Sequence, residues 1–111
     1  MYHGNKYHAR RAIVDGITFD SAAEATRYSY LRLLARAGKI SNLRLQVPFE
    51  LIPTEPQGTK RLRAIKYIAD FVYTDENGAL HVEDVKGVKT AVYQLKKRLM
   101  YHVHGIIIDE V

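Results

Sequence analysis

The stretch that decides the fold runs from Ile65 to Lys86 and reads IKYIADFVYTDENGALHVEDVK. Its two ends are rich in Ile, Val, Phe and Tyr, which favour strands, and they flank the polar segment 74–78. Two apolar runs joined by a short turn that contains Asn-Gly predict a β-hairpin. Side chains alternate between the faces of a strand, so Asp84 and Lys86 are predicted to leave the same face.

The length of the turn decides whether Asp70 shares that face. A two-residue loop at the Asn-Gly pair would point Asp70 away from Asp84. In a three-residue loop, Asp75 opposes Ala79 and Gly78 forms a G1 bulge in the left-handed region. That register places Asp70 across from Asp84. We predict the three-residue loop, because a one-residue slip turns every side chain to the other face and separates the two carboxylates.

Turn residues, caps and hydrophobic periodicity predict the remaining elements. The first half of the chain is predicted to form a hairpin at 12–19 turning at Asp15-Gly16, a helix capped by Asp20 or Ser21 and running to about 37, and a strand at 43–51 with a free edge or bulge at Pro48. The second half is predicted to form a loop at 53–58, strands at 61–73 and 79–86, a helix capped by Thr90 and running to about 104 with Gly105 after it, and a buried strand at 106–108. This order predicts an α/β fold in which helices flank a mixed central sheet, with a right-handed crossover before the last strand. We expect one domain over residues 1–111, with 1–11 as a mobile basic arm.

Composition narrows the classes of function. The net charge of +5 and pI near 9.5 favour a polyanionic partner, nucleic acid first of all. The absence of cysteine excludes disulfides, thiolate zinc sites and cysteine nucleophiles, so a metal would need oxygen or imidazole ligands. No apolar run is long enough for a membrane span or an export signal, and we expect a cytoplasmic protein without a membrane partner.

The pair Asp70 and Asp84 suggests a metal site. Two carboxylates about 4 Å apart repel each other by roughly 4 kcal/mol at an effective dielectric near 20, so a cluster of both needs a cation. Mg²⁺ prefers one or two carboxylates, several waters and a phosphate oxygen. A neighbouring lysine such as Lys86 can orient or activate the attacking water. The alternative is that Asp84 and Lys86 form an ordinary ion pair on one face of a strand.

These residues resemble a known superfamily of nucleases. Asp70 followed after thirteen residues by Asp84-x-Lys86, on a hairpin that comes after a helix bearing Glu24, resembles the PD-(D/E)xK, or restriction-endonuclease-like, superfamily. The segments 19–24, 68–73 and 83–87 are similar to a phage-borne family catalogued as domain of unknown function 1064, over nearly the whole chain. A more distant resemblance is to archaeal-type Holliday junction resolvases. Ala69 stands where the superfamily motif has proline.

The resemblance implies an αβββαβ core and a Mg²⁺ site, at which Mn²⁺ can substitute. Asp70, Asp84 and Glu24 would be its metal ligands and catalytic residues, together with Lys86. Glu24 has a competing explanation, because Ser21-x-x-Glu24 is also a capping box. Gln46 is a weaker candidate that could reach the site from the preceding strand. Glu83 is expected on the opposite face, as a partner for a surface cation.

The second predicted helix carries both a core stripe and a basic face. Val92, Leu95, Leu99 and Val103 are predicted to face the core. The opposite face and the arm supply the predicted DNA-binding residues, which are Lys89, Tyr93, Lys96, Lys97, Arg10 and Arg11. A solvated basic face without a ligand is the alternative.

Together these observations predict a metal-dependent DNA endonuclease. The resemblance to the resolvases extends the expectation to structure-selective cleavage of branched DNA, such as Holliday junctions, in phage recombination or DNA processing. Such cleavage would suit a homodimer with two sites. The alternative is a nucleic-acid-binding module that has the same fold but cuts nothing.

Overall fold

The computed structural model describes residues 10–111, so most of the predicted basic arm lies outside the described residues. The elements in chain order are β1 (Ala12–Val14), β2 (Ile17–Phe19), α1 (Ala22–Arg36), β3 (Ile40–Ile52), β4 (Glu55–Gln57), β5 (Lys60–Leu62), β6 (Ile65–Asp75), β7 (Leu80–Asp84), α2 (Ala91–His104) and β8 (Asp109–Glu110). The chain divides into two compact units. The first contains residues up to Leu43 with Tyr73–Leu80, and the second contains Arg44–Val72 with His81–Val111.

A mixed four-stranded sheet has the order β3-β6-β7-β8, and β1-β2 and β4-β5 are separate two-stranded hairpins. Strands β7 and β8 are parallel, with α2 as the connection between them, as the sequence predicts. This mixed sheet and the two helices confirm the predicted α/β class. Within residues 10–111, neither helix combines the length and the apolar character needed to cross a bilayer.

The first unit begins with the predicted tight hairpin. Val14 pairs with Ile17, which leaves Asp15 and Gly16 as the loop, with φ angles of 53° and 76°. Positive φ at both loop residues is the signature of a type I′ turn. The Tyr28 hydroxyl from α1 donates a hydrogen bond to Asp15 Oδ2 across 3.0 Å, and this bond ties the helix to the turn.

Helix α1 starts and stops where its capping residues predict. Ser21 is the N-cap, and its Oγ accepts a hydrogen bond from the N–H of Glu24 across 3.1 Å. The helix ends at the C-cap Ala37, followed by Gly38 in the left-handed region. The buried face of α1 consists of Ala25, Tyr28 and Leu31.

The turn between β6 and β7 has the predicted three-residue register. The N–H of Asp75 donates to the carbonyl of Ala79 across 2.9 Å, and Gly78 has a φ of 82°. The Asp75 carboxylate also accepts the N–H groups of Asn77 and Ala79, at 2.8 and 3.0 Å, and holds the loop closed. Counting back from this pair places Asp70 opposite Asp84, as a shared site requires.

The second unit contains its own hydrophobic core. The buried members are Leu51, Tyr67, Ala69, Val72, Val82, Tyr93, Met100 and Ile108. They come from β3, β6, β7, α2 and the segment before β8, so burying one core fixes the strands that carry the acidic residues. Strand β3 lies at one edge of the sheet, which accommodates Pro48 because an edge strand can lack a ladder donor.

Several element boundaries differ from the prediction. The predicted loop at 53–58 contains β4, and the predicted strand at 61–73 is divided into β5 and β6. Strands β4 and β5 form an additional hairpin in which Glu55 pairs with Leu62. The last strand is Asp109–Glu110 and not 106–108, and Ile107 is 71% exposed. An apolar run at the end of a short crossover can pack against a helix without joining the ladder, and sequence periodicity does not distinguish the two.

The prediction for the buried face of α2 was wrong. Tyr93 and Met100 are buried, while most of the predicted stripe is exposed: Val92, Leu95 and Val103. Of that stripe, only Leu99 packs against the core. Tyr93 and Met100 are seven residues apart and therefore share a face. The half-buried Lys96 and Lys97 lie between them, where their long stems can cover apolar surface while the charges stay near water.

Candidate active site

Asp84, at the end of β7, is the most buried acidic residue of the predicted site, with 2% of its surface exposed. The Tyr67 hydroxyl donates a hydrogen bond to Asp84 Oδ2 across 2.5 Å. The other oxygen, Oδ1, accepts no hydrogen bond. Lys86 Nζ lies 3.2 Å from Oδ1, so the two charges attract without the alignment of a hydrogen bond. A buried carboxylate oxygen in this condition is costly unless something else binds it.

Asp70 lies beside Asp84 with both of its own oxygens engaged. The backbone N–H of Val85 donates to Oδ2 across 2.8 Å, and Gln46 Nε2 donates to Oδ1 across 3.3 Å. Burial raises the pKa of the Asp70 carboxyl to about 6, and the Asp84 charge and hydrogen bond add to this rise. The Val85 and Gln46 donors act in the opposite direction. A shared cation would stabilise both carboxylates in their ionised form.

Lys86 lies beyond the end of β7, not within the strand as predicted, yet it reaches the same side as Asp84. Its Nζ is 4.4 Å from the ring centroid of Tyr93, and its side chain is 27% exposed. The ammonium therefore touches the face of an aromatic ring and the edge of a carboxylate while remaining accessible to solvent. A cation held in this way can donate to a water or to a phosphate oxygen.

The chemistry of these donors fits a hard divalent cation. Asp70 and Asp84 provide two carboxylates, and Asp84 Oδ1 has an unused acceptor position inside the protein. Mg²⁺ commonly binds through one or two carboxylates and fills its other positions with water and substrate phosphate. Among residues 10–111, no group of three or more His, Cys, Asp or Glu side chains is arranged to hold a metal ion. The fit therefore rests on two carboxylates.

Glu24 lies in the first unit, on the first turn of α1. Its backbone N–H donates to the N-cap Ser21, which confirms one half of the predicted capping box. Glu24 also makes a further interaction within the protein. A role for Glu24 as a third metal ligand stays a prediction.

The predicted DNA-binding residues fall into two groups. Arg10 and Arg11 are exposed, and Lys96 is half-buried. The other three converge on one carboxylate, that of Glu110 in β8, and they are Lys89, Lys97 and Tyr93. The prediction that Tyr93 lies on the face opposite the core was wrong, because Tyr93 is only 5% exposed and belongs to the core cluster.

Comparison with known proteins places the chain in a family. The family model described as a protein of unknown function, DUF1064, matches residues 4–107. The chain belongs to the DUF1064 family. No curated protein and no solved structure matches this DUF1064 chain.

Three features of the DUF1064 site were not anticipated from the sequence. The sequence shows Tyr67 only as part of an apolar strand, yet its hydroxyl is the donor to Asp84. The sequence gives no signal for Glu110, which pairs with Lys89 just before α2 and with Lys97 within it. Glu83, expected at the surface, is 1% exposed and has a partner inside the protein. Tyrosine in an otherwise apolar strand is the one available signal, because a buried hydroxyl needs a hydrogen-bond partner.

Proposed function

We propose that this protein is a magnesium-dependent endonuclease that hydrolyses phosphodiester bonds in DNA, in the cytoplasm of a bacterial or phage-infected cell. The observation that carries the proposal is Oδ1 of Asp84, which is buried next to the Asp70 carboxyl, accepts no hydrogen bond and lies 3.2 Å from Lys86 Nζ. A protein that only binds DNA gains no affinity from two carboxylates clustered next to the phosphates. The two clustered carboxylates therefore favour a catalytic centre over a site that only binds DNA.

Asp70 and Asp84 would hold the metal ion. When bound, Mg²⁺ supplies a Lewis acid for a phosphate oxygen and a water of lowered pKa. Val85 N–H and Gln46 fix the orientation of Asp70, and the Tyr67 hydroxyl fixes Asp84. These contacts hold the carboxylates in place before substrate arrives, which limits the reorganisation needed during reaction.

Lys86 would contribute a positive charge at the reacting phosphate. Its Nζ is tied to Asp84 on one side and to the Tyr93 ring on another, and the exposed part of the side chain leaves room for a third contact. Its ammonium group can donate a hydrogen bond to a phosphate oxygen or to the attacking water. The net charge of +5 supports a nucleic-acid substrate because it favours approach of a polyanion.

The decisive experiment is a cleavage assay with purified protein. We expect nicking of supercoiled plasmid, or cutting of synthetic linear, flapped and four-way DNA, in Mg²⁺ or Mn²⁺ but not in EDTA. Asp84→Asn should abolish cleavage, because it removes the charge that holds the cation while keeping the size of the side chain. Asp109→Asn is the matched control, since Asp109 is an exposed carboxylate of β8 paired with His81.

The substrate panel also separates the finer alternatives. Preference for flapped or four-way DNA over linear DNA would support structure selectivity, and sedimentation of the protein with four-way DNA would show whether a dimer is used. Tight DNA binding by the wild type without metal-dependent cleavage on any substrate would overturn the nuclease proposal in favour of a non-catalytic binding module. Equal activity of Asp84→Asn and Asp109→Asn would place the chemistry elsewhere.

A further inference from the structure

The carboxylate of Glu110 lies inside a small cationic cluster at the sheet edge. Lys89 Nζ is 3.1 Å from Oε1, and Lys97 Nζ is 3.3 Å from Oε2. The Tyr93 hydroxyl donates to Oε2 across 2.7 Å. These three donors form what we call the α2 cradle, defined by Lys89, Tyr93 and Lys97. It delivers two ammonium groups and one hydroxyl to a single anion.

The cradle is built to hold an anion more strongly than exposed ion pairs usually do. The Tyr93 hydrogen bond and the two lysines lower the pKa of the Glu110 carboxyl to about 2. Two positive charges face one negative charge, so the cluster keeps a net charge of +1. The first turn of α2 has no acidic residue that would reduce the attraction of the helix N-terminus for anions.

The position of the cradle relates it to the candidate active site. In the parallel register, Glu110 pairs with Asp84, and the N–H of Val111 donates to the Asp84 carbonyl across 3.1 Å. Neighbouring strands are about 4.8 Å apart, so Glu110 is one strand spacing from the catalytic carboxylate. Tyr93 joins the two places, since its ring contacts Lys86 and its hydroxyl contacts Glu110.

The element that carries Glu110 is a short strand at the edge of the sheet. Strand β8 contains two residues and lies at the edge of the sheet. Lys89 and Lys97 are 50% and 36% exposed at their side chains, so both ammonium groups are reachable from solvent without opening the core. The Glu110 carboxylate can therefore be exchanged for another anion by a local movement.

We propose that the α2 cradle is a binding subsite for a phosphate of the nucleic-acid backbone next to the reacting one, and that Glu110 occupies it as an internal counter-ion until substrate displaces it. Like the carboxylate, a phosphodiester has two acceptor oxygens that share one negative charge. Lys89 and Lys97 provide the positive charges that bind such a group. This subsite rests on the proposed function for the identity of its ligand. Glu110 thereby competes with every incoming anion, so that a polyanion held by further contacts binds the cradle in preference to a single small anion.

The first test uses inorganic phosphate and no DNA. Thermal unfolding is followed while phosphate replaces chloride at constant ionic strength, for wild type, Glu110→Gln and Asp109→Asn, each against its own phosphate-free baseline. A ligand that binds only the folded state raises its Tm. We expect the largest phosphate-dependent rise in Glu110→Gln, because the variant lacks the carboxylate charge that competes with phosphate for the cradle. Adding Lys97→Met to Glu110→Gln should remove the extra rise. Asp109→Asn controls for the loss of one negative charge in the same strand.

The second test measures DNA affinity in EDTA, where no cleavage occurs. Glu110→Gln should bind about 3- to 10-fold more tightly than wild type, the size expected when two partly exposed ion pairs no longer compete with the ligand. The slope of log affinity against log salt concentration should also steepen by an amount that corresponds to about one to two further phosphate contacts. Asp109→Asn should show a smaller gain, and the gain of Glu110→Gln should be lost in the double variant with Lys97→Met.

The two tests fail in different ways. Equal responses of Glu110→Gln and Asp109→Asn to phosphate would overturn the cradle, since only net charge would then matter. Weaker binding of Glu110→Gln to both phosphate and DNA would also overturn it, because Glu110 would then be needed to hold the lysines in place. A phosphate response specific to Glu110→Gln, without DNA binding by any variant, would keep the phosphate subsite and overturn the DNA nuclease proposal.

Discussion

Gln46 Nε2 donates a hydrogen bond to Asp70 Oδ1, and the Gln46 backbone has a φ of 52° in the middle of β3. Left-handed backbone is rare for residues other than glycine, asparagine and aspartate, and strain of this kind is concentrated at functional sites. The same residue therefore has an unfavourable backbone conformation and a side-chain hydrogen bond to the candidate site. Gln46 thus lies within reach of the candidate site, and a functional role for it stays a prediction.

We predict that the donor and the strain can be separated by two variants. Gln46→Gly and Gln46→Ala both remove the donor and should lower Mn²⁺ affinity by a similar factor of about 10, as measured by calorimetry. Gln46→Gly should be the more stable of the two by about 1 kcal/mol in urea denaturation, because glycine adopts positive φ without strain. Gln57→Ala, in the exposed β4, is the control for losing a glutamine side chain. Unchanged Mn²⁺ affinity in both variants would leave Gln46 without a role at the site.

The raised pKa of Asp70 predicts a pH dependence of stability in the metal-free protein. The folded state keeps the proton up to about pH 6, whereas the unfolded state loses it near pH 4. The folded state therefore binds more protons between these values, and the free energy of unfolding should fall as pH rises from about 4 to 6. We expect a loss of the order of 2 kcal/mol in EDTA.

Asp70→Asn should flatten that decline, because the group no longer titrates. Added Mg²⁺ should stabilise the wild type more at pH 7 than at pH 5, since protons compete with the cation for the carboxylate. The Glu110 carboxyl, whose pKa is lowered to about 2, contributes in the opposite sense and only below about pH 4.5. A wild-type profile parallel to that of Asp70→Asn between pH 4 and 6 would contradict the assignment.

Tyr67→Phe should destabilise the protein. The change removes the Tyr67 hydroxyl that donates to Asp84 Oδ2 and deprives a second oxygen of this buried carboxylate of that hydrogen bond. We expect a loss of about 1–3 kcal/mol in urea denaturation. Tyr101→Phe is the matched control, because Tyr101 is 62% exposed and should change stability by less than about 0.5 kcal/mol. Equal effects of the two variants would mean that the Asp84 contact adds nothing to stability.

The turn that sets the register should be sensitive at Gly78. A Cβ at this position meets nothing within 4 Å, so Gly78→Ala probes only the positive φ of 82°. We expect a loss of about 1 kcal/mol in the free energy of unfolding. Gly87→Ala, which also has open space but no left-handed backbone, should be neutral or slightly stabilising. A Gly78→Ala protein as stable as Gly87→Ala would show that the loop can adopt another register.

The sequence by itself determined the features that short-range chemistry controls. The type I′ turn at Asp15-Gly16, the cap Thr90 and the left-handed stop at Gly105 all lie where local hydrogen bonds and φ preferences put them. For α1, local chemistry left Asp20 and Ser21 as alternative caps, and the structure uses Ser21. The three-residue loop at Gly78 is a different case, because Asn-Gly alone favours a two-residue loop. The longer loop was predicted because only that register puts Asp70 and Asp84 on one face of the hairpin.

Only the tertiary structure decided which side of each element is used. Helix α2 carries apolar side chains on two faces, and packing against the sheet buries Tyr93 and Met100 rather than Val92 and Leu95, because burial depends on which partner surface fills the space. The same packing brings Glu110 to Lys97 and Lys89, which are 13 and 21 residues away in sequence. It also brings Tyr67 to Asp84, 17 residues away. Contacts of that separation leave no periodic pattern in the sequence, since they arise only when distant segments share one core.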